Sequence, residues 1–252
     1  MAGDAANQFN EVAEVYDNLM AVIPYGWWVE YVGLVWKWFG LRPRRVLDLA
    51  CGTGSVTREL LDLGLDVEGA DYSEPMLRIA RRKLPEGVRL WHQDARRLEI
   101  PGPPFDACVC LFDSLNYVVQ PGDLARVFRS VRRHLAPDGS LIFDLNAIRA
   151  LEKGMFNQSG TGQDASLEYE WHSAWEPATK LCTVRMEFRV HGPGGTRFFE
   201  EVHVQRGYTQ SEVRRALEES GFNVLAVFDA FTMKPPTAKS DRYHFVARAT
   251  KP

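Results

Sequence analysis

From about residue 43 onward, short apolar runs alternate along the chain with amphipathic stretches of about ten to fifteen residues. RRVLDLA is followed by SVTRELLDLG, LDVEGAD by SEPMLRIARRKL, and FDACVCLF by DLARVFRSVRRHLAPDG. Strands that alternate with helices form βαβ units, and the parallel strands of such units are covered by helices on both faces. The sequence therefore predicts an α/β fold built on a mostly parallel sheet.

Between residues 151 and 206 the pattern changes to longer runs in which apolar and polar residues partly alternate. SLEYEWHSAWEP, KLCTVRMEFRVHG and TRFFEEVHVQRGY are separated by turn-forming residues. This pattern predicts an antiparallel β insertion. A helix, TQSEVRRALEESG, and two strands, NVLAVFD and RYHFVARA, follow it. We therefore expect an α/β core formed by residues 43–150 and 207–252.

Residues 1–42 are expected to form a separate helical segment with helices at about 4–20 and 25–39. The apolar stretch from Ile23 to Leu41 is interrupted by Glu30 and Lys37. A membrane span needs about 20 predominantly apolar residues with few charges, so a helix packed on the protein is the better interpretation. No signal peptide is evident at the start of the chain, and the four cysteines are too few for a disulfide framework, so we expect a cytoplasmic protein.

A turn rich in small residues, VLDLACGTGS, follows the first predicted strand. Gly52 and Gly54 let the backbone approach a ligand closely, and Ser55 is placed to cap the next helix. The third glycine of a dinucleotide-binding motif is absent, because position 57 is Thr57. Asp48 precedes the turn, where a carboxylate repels a diphosphate and attracts an ammonium group. The turn therefore favours a cationic nucleoside such as S-adenosylmethionine over a dinucleotide.

Two further acids stand at predicted strand ends. Asp71 ends the second strand, where it can accept both ribose hydroxyls of a nucleoside. Asp94 follows the strand GVRLWHQ and could accept from an adenine amine, beside the backbone of Ala95. Tyr72 and Met76 follow Asp71 and are expected against the adenine. Each acid is also a common helix cap, and that alternative stays open for each one alone.

Five segments, taken in order, resemble the successive motifs of class I S-adenosylmethionine-dependent methyltransferases: VLDLACGTG, EGADYSEPML, WHQDARRL, FDACVCLFDSLNYV and LAPDGSLIFDLN. The likeness covers about residues 8–147 and is closer to a small-molecule subgroup with an N-terminal helical lid and a β insertion. That subgroup includes glycine-type and amino-sugar N-methyltransferases. The resemblance implies a Rossmann-like sheet of seven mostly parallel strands, one of them antiparallel, with S-adenosylmethionine as methyl donor and S-adenosylhomocysteine as product.

The resemblance also implies which residues bind the cofactor. Tyr16 and Trp28 resemble lid aromatics, although core packing is the alternative for both. Leu111, at the end of the fourth strand, is implied to offer its backbone to the methionine amine. The full set of cofactor-binding residues expected in this way is Tyr16, Trp28, Asp48, Ala50, Gly52, Gly54, Asp71, Tyr72, Met76, Asp94, Ala95 and Leu111.

The methyl acceptor is expected beyond the fourth strand, in the segment LFDSLNYV, where Asp113, Asn116 and Tyr117 are candidates for contact. This segment differs from the Asn/Asp-Pro-Pro-aromatic loop that methylates nucleobase amines. The formal net charge is -3, so no overall basic field attracts nucleic acid or an anionic membrane. We therefore expect a small-molecule acceptor, methylated at nitrogen rather than oxygen, and assign no catalytic residue.

A metal-assisted O-methyltransferase is an alternative, because Asp113, Asp144 and Asn146 lie at strand ends and oxygen ligands suit magnesium. However, Asp144 and Asn146 alternate within one strand, and the six histidines show no spacing that demands a metal. We therefore predict that the protein has no metal site.

The β insertion and the residues just after it supply Trp171, His172, Trp175, Arg206 and Tyr208, and of these Arg206 and Tyr208 are candidates for contact with the acceptor. These residue types are favoured both in the roof of a binding site and at a subunit interface, so the sequence leaves both open, with a monomer or a homodimer expected. Two alternatives to a small-molecule enzyme also stay open. One is an RNA or protein methyltransferase, and the other is a protein that binds S-adenosylmethionine without turnover.

Overall fold

The computed structural model describes residues 8–250, which form two sheets surrounded by helices. The strands are β1 (Arg45–Leu49), β2 (Asp66–Asp71), β3 (Leu90–His92), β4 (Phe105–Cys110), β5 (Leu135–Asn146), β6 (Gln158–Thr161), β7 (Leu167–Glu176), β8 (Leu181–Gly192), β9 (Gly195–Arg206), β10 (Phe222–Asp229) and β11 (Arg242–Ala249). The helices are α1 (Tyr16–Leu19), α2 (Tyr25–Trp38), α3 (Ser55–Asp62), α4 (Glu74–Lys83), α5 (Asp123–His134), α6 (Ile148–Glu152) and α7 (Gln210–Glu218).

The larger sheet has seven strands in the order β3-β2-β1-β4-β5-β11-β10. All pairings are parallel except those of β11, which runs antiparallel to both β5 and β10. Within β1, Asp48 is in register with Gly69 of β2 and Val109 of β4. The prediction of a seven-stranded, mostly parallel sheet is confirmed. Its topology brings the carboxyl ends of β1, β2 and β4 to one edge, where ligands bind in open α/β sheets.

The smaller sheet is antiparallel, with the strand order β6-β7-β8-β9. Its strands show the expected alternation, and in β8 every second residue from Cys182 to Phe188 is buried. These buried side chains form a core with the N-terminal segment, including Val12, Ala13 and Val15. The insertion is therefore packed against the segment that precedes α2. All four cysteines of the chain are buried and unbridged.

Helix α2 covers one face of the larger sheet, as the sequence predicts. Its residues Trp28, Val32 and Val35 share a core cluster with Val109 of β4 and Ile142 of β5. Burial of this apolar stripe explains why the segment is apolar without being a membrane span. Within residues 8–250, none of the helices combines the length and the apolar character that a membrane crossing requires.

The expected helix at 4–20 is wrong over the part that the structure describes, while residues 1–7 lie outside it. Residues 8–20 contain only a 3-10 turn, Val12–Glu14, and the four-residue helix α1. The reason is tertiary: the Glu201 carboxylate of β9 accepts the backbone N–H groups of Phe9 and Glu11. Phe9 also has a left-handed backbone, with φ of 64°, which a continuous helix excludes.

One local expectation at a helix end also needed correction. Ser55 does not cap α3, because the capping position is Gly54, in a left-handed conformation. Residues 137–139 lie inside β5, where Asp138 has φ of 64° and the register with β4 shifts. Pro137 and its neighbours therefore form an irregularity in the strand, as β-bulges do. Ser73 caps α4, since its hydroxyl accepts the Met76 N–H at 3.3 Å.

Candidate cofactor and acceptor site

The glycine turn between β1 and α3 presents bare backbone. Ala50, Gly52 and Gly54 all have positive φ values, of 58°, 55° and 80°. A Cβ on Gly54 would lie 2.8 Å from Leu84 Cδ1, so this glycine is required by packing. A Cβ on Gly52 would meet nothing within 4 Å, so this glycine borders open space. The turn is therefore packed at Gly54 and open at Gly52, where it leaves room for a ligand.

Asp71, at the end of β2, is bonded to the glycine turn. Its Oδ2 atom accepts the N–H of Gly52 at 2.8 Å, and its Oδ1 atom accepts the N–H of Ser73 at 2.7 Å. Burial raises the pKa of this carboxyl, although these N–H groups oppose the shift. Asp71 therefore fixes the geometry of the turn and still carries a carboxylate at the strand end that sequence analysis assigned to the ribose.

Asp48, at the end of β1, is only 2% exposed. Its Oδ2 atom accepts the hydroxyl of Thr57, in α3, at 2.6 Å. Burial raises the pKa of the Asp48 carboxyl to about 7, and the nearby Asp71 adds to this rise. The acid therefore lies behind the glycine turn, against α3, and a nearby cation would promote its ionisation.

A cleft of about 450 Å³ lies beside the ends of β2 and β3. Its lining includes Tyr72, His92, Asp94 and Arg97. Tyr72 is 48% exposed, so its ring is free to cover a ligand in the cleft. The dimensions and the half-exposed aromatic ring suit a planar base.

Asp94 lines this cleft but also has a structural role. It caps the 3-10 turn Ala95–Arg97 by accepting the N–H of Arg96 at 2.9 Å, and it pairs with the Arg96 guanidinium at 2.7 Å. In the structure, the Asp94 carboxylate therefore caps a helix, which is the alternative that the sequence left open. Met76 is buried in the core that the N-terminal segment forms with the β insertion. Ala95 is partly buried and packs against the core of the larger sheet.

The segment after β4 has a strained backbone. Leu111 is buried, and its carbonyl accepts the Ser114 hydroxyl at 2.8 Å. Phe112 and Asp113 follow, with φ values of 61° and 50°, in a region that non-glycine residues rarely occupy. The Phe112 ring stacks on Trp28, with 4.0 Å between centroids. Trp28 is therefore placed at the carboxyl end of β4.

Arg242, at the start of β11, lies between two carboxylates at this end of the sheet. Its Nη2 atom donates to Asp113 Oδ1 at 2.9 Å, and its Nη1 atom donates to Asp144. The guanidinium therefore occupies the position that a metal ion would need between these acids. Among residues 8–250, no group of three or more His, Cys, Asp or Glu side chains is arranged to hold a metal ion.

Three of the predicted acceptor-side residues make structural contacts. Asn116 is fully buried; its Oδ1 accepts the N–H of Asn146 at 2.9 Å and its Nδ2 donates to the carbonyl of Arg206 at 2.9 Å. The Arg206 guanidinium donates to the Val119 carbonyl, and the Tyr208 hydroxyl to that of Val118. These residues join the end of β9 to the segment after β4, and Tyr208 belongs to the main core.

Tyr117 is the predicted residue with the most unusual partner. Its hydroxyl lies 3.1 Å from Nδ1 of His203, and Nε2 of His203 lies 2.7 Å from Oε2 of Glu201. Tyr16 is close by, because the Phe9 ring contacts both Tyr16 and Tyr117, at centroid distances of 6.3 and 5.1 Å. Burial raises the pKa of the Tyr16 phenol, and Tyr25, Tyr117 and Asp113 raise it further. The lid, the segment after β4 and the β insertion thus meet at Tyr117.

Sequence analysis missed Glu201, His203 and Gln205, which alternate along β9 and are all at least 94% buried. Val202, between two of them, is 36% exposed. In this strand the polar residues therefore face inward, which reverses the usual alternation of a half-buried strand. The spacing of two between three polar residues in EEVHVQR could have indicated that they share one face of the strand. Gln205 donates to Asp113 Oδ2 at 2.7 Å.

The lid is also bonded to the glycine turn. Lys83, at the end of α4, places its Nζ atom 2.8 Å from Asp17 Oδ2 and 3.1 Å from Thr53 Oγ1. The Thr53 hydroxyl donates to Asp17 at 2.6 Å. A single lysine therefore connects α1, α4 and the turn, and this contact was not predicted.

Comparison with known proteins agrees with this geometry. A methyltransferase domain family matches residues 46–139. The chain is 34% identical to putative methyltransferase YqeM of Bacillus subtilis, over 95% of this chain and 96% of that protein. It is 32% identical to dTDP-4-amino-2,3,4,6-tetradeoxy-D-glucose N,N-dimethyltransferase of Saccharopolyspora spinosa, over 83% and 84% of the two chains. The crystal structure of an S-adenosylmethionine-dependent methyltransferase from Clostridium acetobutylicum has a TM-score of 0.83 at 28% identity, covering 97% of this chain and all of that one.

A seven-stranded sheet with a glycine turn after β1 and an acid at the end of β2 defines a nucleoside-binding α/β protein. With these relatives, the chain belongs to the class I S-adenosylmethionine-dependent methyltransferases. It is an enzyme of that family, with S-adenosylmethionine as its cofactor.

Proposed function

We propose that this enzyme methylates an amine nitrogen of a small molecule. The observation that carries the proposal is that the N-terminal segment and the β insertion pack together over the carboxyl end of β4, where the acceptor is expected. Glu201 of β9 accepts the N–H groups of Phe9, Glu11 and Val12, and Asn18 accepts the N–H of Gln163 at 2.7 Å. A closed roof of this kind suits a compact acceptor better than a polymer.

The relatives support nitrogen as the target. The similarity to the Saccharopolyspora spinosa enzyme, an N,N-dimethyltransferase acting on a dTDP-amino sugar, extends over 83% of the chain. Proteins from Streptomyces fradiae and Streptomyces venezuelae with the same type of acceptor are 29% and 30% identical. A demethylmenaquinone methyltransferase from Thermus thermophilus matches over only 53% of the chain. The relatives that act on amines thus share more of this chain.

The residues present fit the cofactor. The open backbone at Gly52 and the cleft beside Tyr72 provide room for it, and Asp48 and Asp71 provide negative charge for a cation. When bound, S-adenosylmethionine supplies an electrophilic methyl group on a sulfonium. We propose that the residues holding it are Tyr16, Trp28, Asp48, Ala50, Gly52, Gly54, Asp71, Tyr72, Met76, Asp94, Ala95 and Leu111.

The protein's own contribution is to align the acceptor and exclude water. Asp113, held by Arg242 and Gln205, and Tyr117, held by His203, lie where the acceptor nitrogen is expected. The proposed division of labour assigns residues 1–42 to the lid, 43–150 and 207–252 to the cofactor-binding core, and 151–206 to the roof of the acceptor site.

A product assay tests the proposal. The purified enzyme is given S-adenosylmethionine with separate panels of dTDP-amino sugars, other small amines, phenols and carboxylates, a mixed RNA and a peptide pool, and S-adenosylhomocysteine release is measured. We expect release with amines, and mass spectrometry should place the new methyl group on nitrogen.

Two variants at opposite ends of β2 serve as controls for the assay. Asp71→Asn should reduce turnover, whereas Asp66→Asn, whose side chain is 65% exposed, should not. Release with RNA or peptides alone, or methylation of phenols but not amines, would refute the proposed acceptor.

A further inference from the structure

The hydrogen bonds around His203 define its tautomer. Nε2 lies 2.7 Å from the Glu201 carboxylate, which can only accept, so Nε2 carries the proton. Nδ1 is then unprotonated and accepts the hydroxyl of Tyr117 at 3.1 Å. The Tyr117 hydroxyl therefore donates inward, toward His203, while its oxygen accepts a hydrogen bond from the Gln205 side chain and keeps one further lone pair for the acceptor.

Glu201 is held in its ionised form. Burial alone raises the pKa of its carboxyl, but the hydrogen bonds from His203 and from the backbone N–H groups of Val12 and Phe9 lower it below the ordinary value. The carboxylate oxygen that is not bonded to His203 accepts the N–H groups of Glu11 and Val12 at 2.7 and 3.0 Å. A positive charge on His203 would thus be stabilised by a fixed, buried anion.

Tyr117 cannot act alone as a base. Burial raises the pKa of its phenol, and the Asp113 and Glu201 carboxylates raise it further. Loss of its proton to water is therefore unfavourable, whereas transfer of that proton to His203, together with receipt of the acceptor's proton, leaves the phenol neutral. The groups that face the pair are Tyr16 on α1, Asp113 after β4, Glu201 and Gln205 on β9, Cys182 on β8, and the Phe9 ring, which contacts both Tyr117 and His203 at centroid distances of 5.1 and 4.5 Å.

We propose that Tyr117, His203 and Glu201 form a proton relay that deprotonates an ammonium acceptor. The inference rests on the proposed N-methylation. The ammonium gives one proton to Tyr117 Oη, the phenol proton moves to His203 Nδ1, and Glu201 stabilises the imidazolium. The acceptor nitrogen thereby gains the free electron pair that methylation requires. Tyr117 is the catalytic residue of this step, and His203 and Glu201 are positioning residues that act through it.

The lid is part of the relay. The N–H groups of Phe9, Glu11 and Val12 stabilise the same carboxylate that supports His203, so the relay is complete only while this segment lies against β9. Movement of the segment after turnover would expose His203, which is 1% exposed here, and release its proton to water. One contact would thus couple closure of the site to deprotonation of the acceptor.

A matched pair of histidine variants tests the relay. His203→Asn keeps an acceptor for the Tyr117 hydroxyl but cannot take a proton. His191→Asn is the control, because the His191 imidazole also pairs with a glutamate of the same sheet, Glu168, at 3.3 Å, but in an exposed position. The probe is dTDP-4-amino-2,3,4,6-tetradeoxy-D-glucose, and kcat/KM is measured from about pH 6 to about pH 9, which brackets the charge change of the acceptor amine.

General-base assistance is typically worth about 100-fold or more, so His203→Asn should lower kcat/KM by about 100-fold near the acidic end of that range. The defect should shrink as the pH rises, because the amine then arrives without its proton. His191→Asn should follow the wild type throughout. A defect in His203→Asn that is independent of pH would show a structural role and overturn the relay.

Nitrogen NMR of the imidazole gives a readout that needs no turnover. The His203 signals, assigned by their loss in His203→Asn, should show a protonated Nε2 and an unprotonated Nδ1 near neutral pH. A protonated Nδ1 would overturn the relay whether or not the enzyme methylates the probe. If the tautomer is as expected and the wild type releases no S-adenosylhomocysteine with any amine, the proposed function fails for this acceptor class and the relay fails with it. If other amines are methylated instead, only the choice of probe was wrong, and the pH comparison is repeated with them.

Discussion

The backbone N–H of Gly52 donates to the carboxylate of Asp71 at 2.8 Å, which joins the glycine turn after β1 to the end of β2. The two residues are neighbours because β1 and β2 pair in parallel, with Leu49 opposite Ala70. A carboxylate at this point both shapes the turn and places negative charge beside it. The nucleoside end of the site therefore depends on one contact between neighbouring strands.

Asp71→Asn should weaken cofactor binding. The amide oxygen of asparagine can accept one of the two N–H groups, of Gly52 or of Ser73. The amide nitrogen is itself a donor and would face the other N–H group. A hydrogen bond to a charged group is worth about 1.5–3 kcal/mol, so we expect the Kd of S-adenosylhomocysteine to rise by about 10- to 100-fold. Isothermal titration calorimetry measures the change, with Asp66→Asn as control. Equal affinity in Asp71→Asn and the wild type would contradict the role assigned to this acid.

Cofactor binding should release a proton from Asp48. The pKa of its buried carboxyl is about 7, so at about pH 6 most molecules carry the proton when free. A bound cation favours the ionised form and lowers that pKa, so a proton leaves on binding, and affinity should increase as the pH rises toward about 7. Titration calorimetry with S-adenosylmethionine in buffers of different ionisation enthalpy measures this release.

Asp48→Asn is the control for that experiment. The amide oxygen can still accept the Thr57 hydroxyl, which lies 2.6 Å from the carboxylate, but the side chain no longer titrates. The binding enthalpy should then lose most of its dependence on the buffer. A wild-type enthalpy that is the same in every buffer near pH 6 would contradict the cationic contact that we propose for Asp48.

Alanine substitutions at the two glycines of the turn should have different effects. Both positions have left-handed backbones, which cost a side chain about 1–2 kcal/mol. Gly54→Ala also places a Cβ 2.8 Å from Leu84 Cδ1, so it should lower the free energy of unfolding by a further amount of about 1–3 kcal/mol. Gly52→Ala meets open space instead and should chiefly weaken S-adenosylhomocysteine binding.

Urea unfolding and calorimetry on both glycine variants separate the two effects. We expect the larger loss of stability in Gly54→Ala, and a larger loss of affinity than of stability in Gly52→Ala. The reverse ranking in either measurement would show that the cofactor does not lie against Gly52.

Removal of the lysine that connects the lid to the turn should speed cofactor release. In Lys83→Met the contacts with Asp17, Thr53 and Ser55 are lost. Such half-exposed pairs are worth at most about 1 kcal/mol, so the dissociation rate of S-adenosylhomocysteine should rise by about two- to fivefold. Surface plasmon resonance measures the rate, with the exposed neighbour Arg82→Met as control. The same rate in both variants would show that the contact does not restrain the lid.

Chelation should leave the activity unchanged. Arg242 donates to both Asp113 and Asp144, so the strand-end acids are already neutralised by a side chain. We expect the same rate of S-adenosylhomocysteine release before and after dialysis against EDTA, and no stimulation by added magnesium. Loss of activity on dialysis that magnesium restores would favour the metal-assisted alternative.

The sequence by itself determined the mostly parallel α/β sheet, the course of α2, and the positions of Asp48, Asp71 and Asp94 at strand ends, while the number of seven strands came from the family resemblance. These features depend on the local period of apolar residues and on residues with strong conformational preferences, such as glycine in a turn. A parallel sheet then places strand ends together by topology, so a site at that edge can be predicted without coordinates.

Only the tertiary structure decided which partner each polar side chain has. The Asp94 carboxylate is held by Arg96, the acids beyond β4 and β5 by Arg242, and the backbone before α1 by Glu201. Glu201 and Phe9 are 192 residues apart in the chain, and no local pattern records such a pairing. Hydrogen bonds and ion pairs depend on distances of a few ångströms between segments that only the packed fold brings together.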